Sequence, residues 1–169
     1  MSNVHGQLGS QVAVGQDKPL DREKVCPMLL RVFCANNRHN PISEYNNRNG
    51  GSVPPSELQM HTWMDCSLRE LTNLIKEVNP DARRKGITFD FAVVSPDRSS
   101  QRYLLRDVGN TMNGQRGIDD NKTLQQCKFE VGDFIDVAIT MPGQPARRFN
   151  HRDSGDRFEN RMRQRSPIR

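Results

Sequence analysis

The sequence predicts one small α+β domain in which a sheet packs on a single main helix. Residues 58–64 alternate apolar and polar side chains as a strand does, and an amphipathic helix begins within a few residues. Residues 87–94 place Ile87, Phe89, Phe91 and Val93 on one face at a period of two, which indicates a second strand. A strand-to-helix junction this short indicates one compact unit, and 169 residues allow a single domain.

The helix has clear start and stop signals. Ser67 and Glu70 have the spacing of a capping box, in which each side chain satisfies a free amide of the first turn. Because the residue before a proline avoids helical angles, Asn79-Pro80 is predicted to end the helix. The apolar positions between these signals, at spacings of three and four, are Leu68, Leu71, Leu74, Ile75 and Val78.

Three further strands complete the predicted sheet. Residues 28–33 form a short apolar run suited to a central strand, and residues 101–108 form a weaker fourth strand. Residues 129–139 are predicted as the last strand, entered through a Gly132-Asp133 turn, whereas residues 109–122 are too rich in glycine for a regular helix. Five strands and one helix in the order ββαβββ are the count of a β-grasp domain.

Polar segments interrupt and flank this domain. Residues 36–55 predict a long surface insertion between the first two strands, with Ile42 and Tyr45 as apolar anchors. Residues 1–24 lack any period and predict a disordered segment. The folded domain is therefore expected over residues 25–141, followed by a disordered Arg-rich tail over residues 142–169.

Charge and cysteine content narrow the function classes. Residues 1–142 hold 17 Lys and Arg against 17 acids, whereas residues 143–169 hold 8 Arg against 3 acids, so the tail carries the net charge of +5. The four cysteines are scattered without a C-x-x-C pair, and we predict neither a metal site nor a cofactor. No apolar run reaches the roughly 20 residues of a membrane span, so we expect a soluble, intracellular protein.

Several surface and loop motifs give the chain a specific resemblance. Over residues 21–141 it resembles the eighteen-kilodalton Sin-associated polypeptide family, which has the ubiquitin-like fold. The motifs that carry this resemblance are Asp21-Arg22-Glu23-Lys24, Cys26-Pro27, Leu29-Leu30-Arg31-Val32-Phe33, Ser56-Glu57-Leu58-Gln59, Thr62-Trp63-Met64-Asp65, Leu71-Thr72 with Leu74, Lys76-Glu77-Val78 with Pro80, Ala82-Arg83, Asp119-Asp120 and Thr123-Leu124. The chain departs from the family in residues 36–51, in its first 20 residues and in its arginine tail.

The resemblance implies a ubiquitin-like β-grasp, with a five-stranded mixed sheet packed on one main helix, that binds proteins and catalyses no reaction. It implies two sets of nuclear partners. One set is an Acinus-like or Pinin-like protein with a serine-rich-domain RNA-binding splicing protein, in exon-junction-linked complexes and nuclear speckles. The other is the Sin corepressor with its histone deacetylases, and with sequence-specific transcription factors. A cytoplasmic pool is also compatible with the resemblance.

One sheet edge is the predicted partner surface. Residues 58–64 form an edge strand in the usual β-grasp order, to which a partner peptide can add as a further strand. Alternation places Gln59, His61 and Trp63 on the face opposite the helix. Trp63 then either anchors a partner or is covered by the insertion through Tyr45, and the sequence does not decide between these.

Three other functions receive less support. A conjugated modifier needs a C-terminal Gly-Gly, whereas this chain ends in Pro167-Ile168-Arg169. A cysteine enzyme would have to pair Cys66 with His61, although a small buried residue at the helix start is the simpler reading of Cys66. An RNA-recognition module is echoed in residues 85–91, but it needs a second helix before its last strand, and residues 109–121 cannot supply one.

The basic tail gives the main alternative, an RNA-binding protein that acts through its C-terminal arm. Five arginines in this arm are expected to attract RNA in a salt-dependent way, although RNA contact by the protein is expected to be mostly indirect. Ser166, which precedes Pro167, is a candidate phosphorylation site that would lower the positive charge of the arm. The arginines singled out are Arg147, Arg148, Arg161, Arg163 and Arg165.

Overall fold

A computed structural model describes residues 20–46, 53–100 and 102–143. The arginines of the tail and Ser166 lie outside these residues, as does most of the predicted N-terminal segment. Residues 20–24, which we expected to be disordered, form a turn that packs on the domain. Contacts with the folded domain therefore begin before residue 25.

Five strands form one mixed sheet in the order β2-β1-β5-β3-β4. Strands β1 and β5 run parallel at its centre, and every other neighbouring pair is antiparallel. This order, with one main helix between β2 and β3, is the ubiquitin-like β-grasp fold that the sequence predicted. The strand bounds are β1 Met28–Asn36, β2 Glu57–Thr62, β3 Thr88–Pro96, β4 Tyr103–Met112 and β5 Phe134–Thr140.

Two predicted strands are shorter in the structure, and each is cut by a turn. Strand β2 stops at Thr62 because the Cys66 amide donates to the Trp63 carbonyl at 3.0 Å. Residues 129–133 precede β5 as a turn, since the Asp133 amide donates to the Glu130 carbonyl at 3.0 Å. The turn also uses the Asp133 carboxylate, which accepts the Glu130 amide at 3.0 Å.

The main helix, α2, spans Leu68–Val78 with Ser67 as its N-cap, and a short helix α1 at Ile42–Tyr45 precedes it. The Ser67 hydroxyl accepts the Glu70 amide at 3.2 Å. Two further amides of the first turn donate to carbonyls of the 120–122 loop, from Leu68 at 2.9 Å and from Arg69 at 3.0 Å. The start of α2 is thus tied to a distant loop as well as capped locally.

The larger hydrophobic core lies between the sheet and α2. Phe89 and Phe91 are buried in it at 0% and 1% exposure, so the aromatic residues of the RNA-recognition echo are core residues. The other large, fully buried members of this core are Leu30, Leu68, Leu71, Ile75, Ile87, Leu124, Ile135, Val32 and Val93.

A second, smaller core lies on the opposite face of the sheet. Phe33, Val94 and Phe134 are buried there together with Tyr45, and Ile42 packs against them. The insertion therefore covers one sheet face, and the two residues predicted as its anchors make the contact. Phe33 meets the rings of Tyr45 and Phe134 edge-on at centroid distances of 5.4 and 5.5 Å.

Replacing Ser67 with alanine should lower the free energy of unfolding by about 1 kcal/mol, because the Glu70 amide loses its acceptor at the helix start. Chemical denaturation followed by circular dichroism measures this loss. Ser56→Ala is the control, because the exposed Ser56 side chain makes no hydrogen bond among the described residues. Equal stability of the two variants would contradict the capping role.

Candidate partner-binding edge

Strand β2 presents an open row of main-chain groups at one edge of the sheet. The Cys34 amide donates to the Ser56 carbonyl at 3.1 Å, which fixes the hydrogen-bonding pairs of the β1–β2 ladder. The residues bonded to β1 are consequently 58, 60 and 62. The intervening Glu57, Gln59 and His61 point their amides and carbonyls outwards, and within the described part of the chain no hydrogen bond reaches them.

The opposite edge, at β4, is partly closed by the protein itself. Four outward main-chain groups of β4 have partners in neighbouring loops or in α2. The pairs are the Tyr103 amide with Asn46 Oδ1 at 2.5 Å, the Val108 carbonyl with Lys122 Nζ, the Asn110 amide with Asp119 Oδ2 at 3.1 Å and the Met112 carbonyl with Arg69 Nη1 at 3.0 Å. An unpaired edge strand is a template for adding another strand, so β2 is the longer template of the two.

The side chains of β2 alternate as predicted. Leu58 and Met60 pack against the larger core, whereas Gln59 and His61 are exposed on the other face. Leu29 of β1, which pairs with His61, is 47% exposed beside them. The outward main chain and this exposed face together form a surface that a strand of another protein can contact.

A cross-strand ion pair borders this surface. The Arg31 guanidinium donates to Glu57 through Nε at 2.6 Å and through Nη2 at 2.9 Å. The hydrogen bonds from Arg31 and then Gln59 lower the pKa of Glu57 to about 2. Glu57 therefore stays negative throughout the physiological range, and its charge is already matched by Arg31.

Trp63 follows the last residue of β2 and is half-buried under residues 22–25. Its indole Nε1 donates to the Val25 carbonyl at 2.6 Å, and the Arg22 guanidinium lies 5.1 Å from the ring centroid. Tyr45, the cover that the sequence suggested, packs on Phe33 in the second core instead. The structure thus covers Trp63 with a different segment, the N-terminal strap formed by residues 20–26.

Arg22 fastens this strap to the start of α2. It donates to both carboxylate oxygens of Glu70 at 2.8 and 3.0 Å and to Asp65 at 3.0 Å. Hydrogen bonds from Arg22 lower the pKa of Glu70, against the effect of its partial burial, and those to Glu70 raise the pKa of Arg22. Glu70, expected only as a capping-box partner of Ser67, therefore also holds the strap.

Tyr45 is 5% exposed, and its hydroxyl donates to Asp136 Oδ2 at 2.5 Å. Burial, followed by the charge of Asp136, raises the pKa of the Tyr45 hydroxyl. Of the four residues predicted to bind partners, the structure therefore brings Gln59 and His61 together, places Trp63 beyond the strand end, and puts Tyr45 in the second core.

Asp136 is a buried carboxylate that the sequence analysis missed. It is 0% exposed and accepts hydrogen bonds from His39 Nδ1 at 2.7 Å, Asn40 Nδ2 at 2.7 Å and the Asn40 amide at 3.3 Å, besides the one from Tyr45. The signal was an acidic residue among buried apolar positions of the last strand. Such a residue needs partners, and here the insertion supplies all four donors.

Cys66 does not have the environment of a nucleophile. It is fully buried, and burial raises the pKa of its thiol to about 11. A helix start can lower a thiol pKa, but burial outweighs that effect here.

Within the described residues there is no cluster of three or more side chains that could hold a metal ion, and no described helix is long and apolar enough to cross a membrane.

The fold and the β2 edge define a small β-grasp domain whose β2 strand has no partner on its outer side among the described residues. The chain matches the sequence model of the family described as Sin3 associated polypeptide p18 (SAP18) over residues 19–139. It is 82% identical over 169 residues, the full length of both chains, to a protein of Caenorhabditis elegans named probable histone deacetylase complex subunit SAP18. The chain belongs to the SAP18 family.

More distant relatives agree with this assignment. Proteins named histone deacetylase complex subunit SAP18 are 52% identical in Drosophila melanogaster, over 85% of this chain and 93% of the relative, and 52% identical in Homo sapiens, over 76% and 82%. Among solved structures, the C-terminal ubiquitin-like domain of mouse tubulin-specific chaperone e aligns over 81% of this chain and 98% of its own, with 13% identity and a TM-score of 0.36. The fold assignment rests on the strand order and not on that alignment.

Replacing Arg22 with glutamine should shift the fluorescence of Trp63 to longer wavelength, because loss of the guanidinium exposes the ring and loosens the strap. Trp63 is the only tryptophan, so the emission reports on this site alone. The free energy of unfolding should fall by about 1 kcal/mol or less, as expected for a partly exposed ion pair. Arg98→Gln, at an exposed pair with Glu130, is the control; an unchanged Arg22→Gln spectrum would refute the strap contact.

Replacing Tyr45 with phenylalanine should lower the free energy of unfolding by about 1–3 kcal/mol, because buried Asp136 then loses a hydrogen-bond donor. Thermal and chemical denaturation measure the loss. The matched variant Tyr103→Phe removes a hydroxyl without a hydrogen-bond partner among the described residues and should change stability by about 0.5 kcal/mol or less. If both variants lost the same stability, the Asp136 contact would not be the cause.

Proposed function

We propose that this protein is a non-enzymatic adaptor subunit of a nuclear Sin corepressor–histone deacetylase complex, acting in transcriptional repression. Support comes from relatives whose names assign them to histone deacetylase complexes, one of them 82% identical over the whole chain. The full burial of the Cys66 thiol also argues against the pairing of Cys66 with His61 that a cysteine enzyme would use. The contribution of the protein is then the placement of other proteins.

The open edge of β2 supplies the binding mode. A partner segment pairs with the outward amides and carbonyls of Glu57, Gln59 and His61, and its side chains contact the exposed face that includes Leu29. Main-chain hydrogen bonds supply the affinity in such strand addition, while side chains supply the selectivity. The observation that carries this mode is the run of unpaired main-chain groups along β2, in contrast to the closed stretches of β4.

The partner-binding roles predicted from the sequence are revised accordingly. Gln59 and His61 contact the partner directly. The indole N–H of Trp63 is already bonded to the Val25 carbonyl, so Trp63 holds the strap beside the end of β2. The part of its ring that remains exposed contacts the partner. Tyr45 acts from a distance, since it fixes the insertion and has almost no exposed surface.

We extend the proposal to mRNA splicing, where the same edge would serve an Acinus-like or Pinin-like protein, together with a serine-rich-domain RNA-binding protein, in nuclear speckles. Resemblance to the family supports this extension.

RNA attraction by the basic arm remains the alternative, because residues 143–169 hold 8 Arg against 3 acids. Phosphorylation of Ser166 would weaken that attraction.

Replacing Gln59 with proline tests the proposed edge. The Gln59 amide points away from β1, so proline removes a donor to the partner and no hydrogen bond within the sheet, and edge strands tolerate proline. Affinity purification from nuclease-treated nuclear extract should recover corepressor and deacetylase proteins with the normal chain and several-fold less of them with Gln59→Pro. A melting curve checks that the variant is folded.

Gln59→Thr is the matched control, because it changes the side chain and keeps the amide. Full recovery with Gln59→Thr and loss with Gln59→Pro identify main-chain pairing at β2. Undiminished recovery with a folded Gln59→Pro variant would refute the edge. Recovery that disappears with nuclease in the normal chain would show that RNA bridges the proteins, which favours the arm.

A further inference from the structure

The closure of the β4 edge is incomplete, and one short stretch remains open. Asn46 covers the Tyr103 amide, and loop or helix side chains cover the Val108 carbonyl, the Asn110 amide and the Met112 carbonyl. The bulge between Phe91 and Ala92 shifts the register, so that the outward residues before it are 103, 105 and 107. The outward main chain of Leu105 and Asp107 has no hydrogen-bond partner among the described residues.

A groove of about 490 Å³ lies against this stretch. Its apolar wall consists of Ile42 from the insertion and Tyr103, Leu104 and Leu105 from β4, with Asn40 and Ser95 at its polar margin. Leu104 is 54% exposed. A volume of this size falls in the range of sites that enclose a small ligand or a large side chain.

The lining of the groove includes one acidic and one basic residue, Asp107 and Arg106. The Asp107 side chain is 75% exposed, and its Oδ1 lies 3.8 Å from His39 Nε2. Alternation places Arg106 on the other face of β4, where its guanidinium donates to the Lys128 carbonyl at 3.3 Å. Below His39, Asp136 is fully buried and saturated by its donors. A cation entering the groove would therefore find the Asp107 carboxylate available.

We infer that this groove binds a short extended segment of a partner protein that carries a large apolar side chain and, two residues away, an arginine or lysine. Alternate residues of an extended segment face the same side, so the apolar side chain can enter between Ile42 and Tyr103 while the cation reaches Asp107. The main chain of the segment pairs with Leu105. Because Asn46 and Lys122 close the edge on both sides, pairing covers only about three residues.

This site is independent of the one at β2. The two lie on opposite edges of the five-stranded sheet, with β1, β5 and β3 between them. The protein can accordingly hold two extended segments at once. The longer pairing at β2 serves an extended strand, whereas the groove at β4 selects a short motif by its apolar side chain and its charge.

The test titrates the ¹⁵N-labelled full chain with a blocked peptide, acetyl-Thr-Phe-Thr-Arg-Thr-amide, and follows backbone amides by NMR. The Leu105 and Asp107 amides should shift saturably, while those of Gln59 and His61 stay in place. Asp107→Asn should raise the dissociation constant of the peptide by about 2- to 5-fold, which is the effect of losing one exposed ion pair. Glu130→Lys, which alters an exposed carboxylate away from the groove, is the control and should change nothing.

A charge exchange provides the second arm. Asp107→Lys should bind the peptide with glutamate in place of arginine better than it binds the original peptide, and the NMR spectrum itself shows whether the variant is folded. The proposal is overturned if Leu105 does not respond in the full chain, including the case in which the chain's own arm fills the groove. It is equally overturned if the Gln59 and His61 amides shift instead, or if Asp107→Asn leaves the affinity unchanged. A shift of the Leu105 amide when the protein alone is concentrated would also overturn it, because the occupant would then be a second copy of the chain.

Discussion

The buried carboxylate of Asp136 is the constraint on which the rest of the structure depends. A fully desolvated carboxylate is costly unless donors surround it, and all of its donors come from residues 39–45. Satisfying this group therefore fixes the insertion on the second sheet face. The same placement seals Phe33 and Phe134, forms one wall of the β4 groove and brings Asn46 to the Tyr103 amide.

The two edges of the sheet differ in how many of their outward main-chain groups are hydrogen-bonded to side chains of other elements. At β4, side chains from α2, from the insertion and from residues 119–122 occupy outward main-chain groups, as proteins commonly do to keep an edge from pairing with other chains. At β2 the one cover found within the described residues is at the end of the strand, where the strap contacts Trp63. An open edge opposite a partly closed one suits a protein that pairs with selected segments.

The sequence patterns correctly predicted those features of the fold that depend on residues close together in the chain. Alternation identified the core faces of β2 and β3, and the spacing from Ser67 to Pro80 gave both ends of α2, because capping and periodicity act within a few residues. The predicted start of β5 was wrong. The apolar residues of 129–133 suggested a strand, whereas Glu130 and Asp133 form a turn there. The contacts of Arg22 with Glu70 and of His39 with Asp136 span 48 and 97 residues, and no short-range pattern reports them. For the candidate site, alternation gave the exposure of Gln59 and His61 but not the strap over Trp63.

The strand order has a geometric consequence for anything held at both edges. Neighbouring strands lie about 4.8 Å apart, so segments added outside β2 and β4 would be the ends of a seven-strand sheet and about 29 Å from each other. Each step also rotates the strand direction by roughly 20 to 25° in the same sense, which accumulates to about 120 to 150° over six steps. The sheet would thus act as a rigid spacer that sets both the separation and the crossing angle of two chains.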